Sequence, residues 1–247
     1  MNRAFFILIF YLCTGLCRAG VPAQQQALTA QSQYDAQQFV EAARSYEHIL
    51  NDGLYSAELF FNLGNAYFKA GDLPKALLNY RRAWYFTPGD PDLEANTKLA
   101  AQTAGVLLPE TSLLERITFS LSQERWVHCA LIGYLLATGF IVGAIAISRL
   151  RGGLLKAALF PFLFALISCL GLWKWHQLYQ SREQVLLSPV TAKYGPTKNS
   201  TDHFNLPAGS VVRTHRTPKK GWLELDLNQN TGWIKNEKGS PVVLWNQ

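Results

Sequence analysis

Two apolar segments joined by a five-residue basic turn constrain this 247-residue chain more than any other feature. Residues 126–148, WVHCALIGYLLATGFIVGAIAIS, contain no Asp, Glu, Lys or Arg. At about 1.5 Å per residue a helix of that length crosses the roughly 30 Å hydrocarbon core of a bilayer. Residues 154–175 are equally apolar, with Lys156 and Lys174 near the ends, where their ammonium groups reach the interfaces. The pattern predicts a two-helix transmembrane hairpin. Arg149 and Arg151 lie in the turn at 149–153, which the positive-inside rule places in the cytoplasm. Both flanking parts of the chain then face outward. Trp126, Trp173 and Trp175 fall at the outer end of the hairpin, the level at which indole rings concentrate.

The N-terminus agrees with that orientation. Residues 1–19 read as a secretory signal: Arg3, the apolar run AFFILIFYLCTGLC, then Ala19 before the cleavage point. An uncleaved N-terminal anchor is the alternative. The net charge of +6 is not a nucleic-acid signature once it is divided along the chain. Residues 20–125 carry 8 basic and 12 acidic side chains, and residues 176–247 carry 9 and 5. The opposite signs allow the two parts to attract each other, or they are chance. All four cysteines, Cys13, Cys17, Cys129 and Cys169, lie in apolar segments, so no disulfide framework is expected in the outer parts.

Residues 23–106 read as helical repeats. In the segment Ala57 to Asp90, Leu63, Gly64, Tyr67, Ala76, Tyr80, Ala83 and Pro88 occupy positions 7, 8, 11, 20, 24, 27 and 32 of a 34-residue unit. This unit resembles the tetratricopeptide repeat, a pair of antiparallel helices that stacks into a protein-binding surface. Residues 23–56 form a degenerate earlier unit, with Ala42 and Tyr46 at the positions of Ala76 and Tyr80. Residues 91–106 supply a capping helix. By position, Phe61, Asn65, Phe68 and Lys69 project toward a partner-binding groove, although Phe61 and Phe68 also suit packing against the first unit. Asn65 and Asn96 stand where carboxylate-binding members of the family carry their two asparagines, but the accompanying basic residues are missing.

Residues 107–125 form a junction in which Leu113, Leu114, Ile117 and Leu121 share one helical face. That pattern suits an amphipathic helix at the membrane interface, or a plain linker helix. Residues 183–247 change to strand chemistry. Leu223, Leu225 and Leu227 alternate with Trp222, Glu224 and Asp226, and Gly, Pro and Asn turns separate short strands. The Leu206-Pro207-Ala208-Gly209 turn and the pairs Gly221-Trp222 and Gly232-Trp233 resemble bacterial SH3 domains, implying a small barrel. Tyr194, Phe204, Trp222 and Trp233 are candidates for a groove on it, with a core role as the alternative for the two tryptophans.

No metal-ligand spacing, nucleophile motif or phosphate loop is present, so neither a cofactor nor an enzyme activity is expected. His128 and His176, like Cys129 and Cys169, fall at similar depth near the outer interface, where packing is the ordinary role. The whole order is signal, helical repeats, membrane hairpin and all-β SH3-like barrel, a multi-domain membrane protein. It resembles the E component of the Bat (Bacteroides aerotolerance) systems. The resemblance implies a non-enzymatic, two-pass scaffold of the bacterial inner membrane with both outer parts periplasmic. It implies membrane-anchored von Willebrand factor A-type proteins as partners and, indirectly, a MoxR-type AAA+ ATPase. The alternative is a peptidoglycan-binding membrane protein.

Overall fold

The computed structural model describes residues 20–109, 113–180, 182–214, 221–227, 230–235 and 239–241; the secretory signal expected at residues 1–19 lies outside them. The described chain has eight α-helices followed by an antiparallel β-sheet. Five helices come first: α1 (Gly20–Asp35), α2 (Phe39–Asn51), α3 (Ala57–Ala70), α4 (Leu73–Phe86) and α5 (Pro91–Ala104). Each packs on the next.

Local chemistry sets their ends. The Ser56 hydroxyl accepts from the Leu59 amide to cap α3, and Asp72 and Asp90 cap α4 and α5 in the same way. Pro74 and Pro91 sit in first turns, where the missing N–H costs no helical bond. The residues that carry the 34-residue pattern form the core. Leu63, Tyr67, Ala76, Tyr80 and Ala83 are buried, and Pro88 is half-buried. At Gly64 the Tyr80 ring lies so close that an added Cβ would stand 2.6 Å from two ring carbons.

A short helix, α6 (Leu113–Phe119), leads to α7 (Gln123–Ala146) and α8 (Arg151–Gln180). Both are long and apolar enough to cross a membrane. They pack as a hairpin whose seam is made of small residues: Gly133, Ala137 and Ala144 on α7, and Ala158, Ser168 and Gly171 on α8. An added Cβ at Gly133 would come within 2.8 Å of the Pro161 carbonyl oxygen, so the two backbones are in contact there. Leu131, Leu135, Phe160 and Ile167 point outward. The turn is tighter than the sequence pattern suggests. A single 3₁₀ turn, Ser148–Leu150, joins the helices, and residues 151–153 belong to α8. Arg149 and Arg151 are exposed there.

The sheet contains β1 (Arg182–Leu186), β2 (Val190–Lys193), β3 (Asp202–Leu206), β4 (Val211–Thr214), β5 (Trp222–Leu227), β6 (Asn230–Lys235) and β7 (Gly239–Pro241). Their order is β3-β2-β6-β5-β4-β1-β7. One side gathers Leu186, Ala192, Leu206, Val212, Leu223, Leu225 and Ile234 into a core. Side chains alternate along a strand, so on β1 Glu183 and Val185 face away from Leu186. Val185 and Val211 join the core of the helices instead. The Leu206–Gly209 turn rests on the helices too, with Gly209 at φ +91° and a Cβ position 3.1 Å from Leu77 Cδ1. The helical stack and the sheet therefore meet at the same end of the hairpin, opposite the 3₁₀ turn.

Candidate functional site

The residues assigned to the repeat groove separate into two roles. Asn65 Oδ1 accepts from Tyr80 Oη at 2.8 Å and from Asn96 Nδ2 at 3.1 Å. The two asparagines are thus brought together, but they bond each other across α3 and α5. Phe61 is half-buried against the Tyr80 ring, centroids 6.0 Å apart, and Phe68 is half-buried on the same core. Of the five, Lys69 alone is exposed.

Polar bonds lock the buried tyrosines of the stack. Tyr67 Oη donates to Glu47, and Tyr46 Oη donates to Gln31 at 3.1 Å. Burial pushes the Tyr46 phenol up to about 12, and it raises Tyr67 further with help from the Glu47 hydrogen bond. A cavity of about 550 Å³ opens between α1 and the start of α3, lined by Leu28, Gln31, Tyr55, Glu58 and Asn62 among others. Sequence reasoning missed it, because the first unit lacks the large residues that mark a groove.

The sheet aromatics also divide. Trp222 is buried, Trp233 is half-buried, and Phe204 packs against the sheet core. Tyr194 is 62% exposed and stacks on His203 with ring centroids 3.9 Å apart. They make a small aromatic shelf rather than a four-residue groove.

The most constrained constellation lies where stack, hairpin and sheet meet, and the sequence did not single it out. Arg81 of α4 donates from Nε to Glu183 Oε1 at 2.6 Å and from Nη2 to Glu183 Oε2 at 2.9 Å. The Arg81 side chain is 15% exposed and that of Glu183 is fully buried. Burial disfavours the guanidinium charge, but the facing carboxylate outweighs it and raises the Arg81 pKa, so the guanidinium stays charged.

Beside this pair the Trp84 ring stacks on Trp175 at 6.0 Å, and Phe119 meets both edge-on at 5.2 and 4.9 Å. Trp175 Nε1 donates to the Leu121 carbonyl, and Trp126 Nε1 donates to the Thr118 carbonyl. This corrects the reading of three interfacial tryptophans. Trp175 is fully buried among protein side chains, Trp126 is half-buried, and Trp173 alone is largely exposed. The physical reason is that α8 runs on to Gln180 and its last turns pack against the helical stack, which closes Trp84 and Phe119 over Trp175.

The opposite charges of the outer parts meet only in part. Arg213 of the sheet approaches Glu115 of α6 at 3.7 Å, following the net signs, whereas the tight Arg81–Glu183 pair runs against them. No protein-family model matches the chain, and no curated protein is significantly similar to it in sequence.

Proposed function

We propose that this chain is a non-enzymatic membrane scaffold that holds protein partners at a set position beside a bilayer. The observation that supports the reading best is the buried Arg81–Glu183 pair with its Trp84–Phe119–Trp175 cluster. A buried bidentate pair tolerates little sliding, because separating it strands two charges in a medium of low polarity. Helices, hairpin and sheet then move as one body, which is what a positioning device requires.

In this reading the helical pairs are tetratricopeptide-like repeats, the sheet is an SH3-like barrel, and both face the periplasm. The partner surface is the cavity between α1 and the start of α3, with Asn62 in its wall and the exposed Lys69 near the other end of α3, rather than the mutually bonded Asn65 and Asn96. The resemblance to the E component of the Bat systems makes membrane-anchored von Willebrand factor A-type proteins the partners to look for, with a MoxR-type ATPase acting through them.

Photo-crosslinking in intact cells from Asn62 and Lys69 tests the reading. Adducts with one or two membrane-anchored proteins are expected. No adduct above an exposed control at Asn199 would remove the partner surface. Deleting the helices is a poorer experiment, because it would uncover Trp175 and orphan Glu183.

A second reading, wall-glycan binding, is favoured by the exposed Tyr194–His203 shelf, since sugars stack on such rings. Retention of the full chain on purified sacculi that is lost in Tyr194→Ala would support it.

A further inference from the structure

A second cavity, of about 510 Å³, lies between α4, α5, α6 and β4. Four cations contribute to its lining: Arg81, Lys98, Arg116 and Arg213. Arg81 is held by Glu183 and Arg213 faces Glu115, yet Arg213 Nε is buried without a hydrogen-bond partner. Among the described residues Lys98 and Arg116 have no ion pair, and Glu94 is the only carboxylate of the lining. Val106, Leu107 and Leu108 complete one wall. The space is thus cationic on one side and apolar on the other.

Its surroundings say what fits. At 100° per residue, Leu113, Leu114 and Ile117 share one face of α6, while Glu115, Thr118 and Phe119 share the face turned to the protein. The three apolar residues are 71%, 69% and 57% exposed, and Leu107 at the cavity is 73% exposed. Arg116 stands at the boundary between the two faces. The Trp126 and Trp175 indoles tie α6 and the residues after it to the mouth of the hairpin. The cavity therefore sits beside the outer end of the membrane-crossing helices, next to an uncovered apolar ridge.

We propose that this cavity takes the phosphate of an anionic phospholipid from the adjacent leaflet. The phosphate lies between Lys98 and Arg116 with Arg213 Nε behind it, and the acyl chains cover Leu107, Leu113, Leu114 and Ile117. Basic pockets at helix ends hold anionic headgroups by this combination of charge and apolar contact. A free phosphate would satisfy the cations alone and leave the ridge in water.

The test uses the full chain, delipidated in mild detergent and returned to nanodiscs of phosphatidylcholine with a minor share of phosphatidylglycerol. Native mass spectrometry then counts the lipids that each chain retains. Wild type should keep phosphatidylglycerol in preference to phosphatidylcholine by on the order of tenfold. The double variant Lys98→Gln/Arg116→Gln should lose that preference, and Arg116→Lys, which keeps the charge, should retain it. Both positions are exposed, and an unchanged circular dichroism melt checks that the variants fold. Equal retention in wild type and the double variant would overturn the site. Inorganic phosphate that binds the lipid-free chain and blocks phosphatidylglycerol uptake would overturn the lipid as occupant in favour of a soluble anion.

Discussion

The helical stack and the long apolar hairpin are both built of antiparallel helix pairs, yet most of their glue differs. In the stack the glycine at the closest approach, Gly64, receives an aromatic ring, that of Tyr80. In the hairpin the seam glycine Gly133 receives a backbone carbonyl, that of Pro161, while Gly171, at the end nearer the stack, receives the Trp126 ring. The stack buries Phe60, Leu63, Leu77 and Tyr80, and the hairpin exposes Leu135 and Phe160 while burying Ala137, Ala158 and Ser168. In water, association removes large apolar side chains from solvent. In lipid that gain is absent, so small residues that allow backbone contact take over. One chain thus shows that hydrophobic pattern alone does not say which face of a helix meets its partner.

Substitutions measure how far the contrast holds. Phe60, fully buried in the stack, should cost about 3–5 kcal/mol when cut to Ala, read from denaturant unfolding of the full chain in nanodiscs.

Alkali comes next. The Tyr46, Tyr67 and Tyr80 phenols all have folded pKa values above the unfolded value of about 10, because burial disfavours the phenolate. Their stabilising share is complete below pH 10 and is lost as pH rises through the folded values. Helical circular dichroism from the stack should therefore fall only above pH 10, together with tyrosinate absorbance. The hairpin, whose Tyr134 is exposed, should persist.

Gly133→Leu should force the hairpin apart at a cost of about 1–3 kcal/mol or more, because a carbonyl cannot rotate away as a side chain does. Spin labels on the free thiols Cys129 and Cys169, in a chain lacking Cys13 and Cys17, should report a longer distance. Tyr80→Phe, which removes one bond to Asn65, should cost about 1 kcal/mol in the same unfolding assay. Phe160→Ala should change the label distance and stability by next to nothing, because the ring is 80% exposed. A large loss at Phe160 would mean that this face meets protein, and the contrast would fail there.

Helix ends are set locally, by Ser56, Asp72 and Asp90 acting through amides two or three residues away, yet the repeat pattern marks only the bounds of the 57–90 unit. The hairpin was legible because a run without charges has few other places to go. The strands around Leu223–Leu227 were legible through their alternation. The junction was not. Arg81 reads as a surface residue of an amphipathic helix and Glu183 as the polar lead-in to a strand. Only a contact across 102 positions of chain explains why both are buried. The run Glu183–Leu186, buried at every position, held the one clue: Val185 and Leu186 are adjacent apolar residues in a strand, so both faces are covered. Asn65 and Asn96 were read as partner-groove residues, but spacing does not reveal that a carboxamide already has an internal partner.

The length of α8 has a mechanical consequence. Its 30 residues run continuously from the tight turn to the sheet, about 45 Å of helix against a hydrocarbon core of about 30 Å. The surplus packs Trp175 against Trp84 and Phe119, so in the proposed membrane placement the helix that meets the lipid is also a beam of the packed body. A thinner bilayer tilts such a helix to restore its match to the lipid. Because Trp175 is fully buried in that packing, such a tilt would carry the stack and the sheet with it, and membrane thickness would become a setting of where their surfaces point.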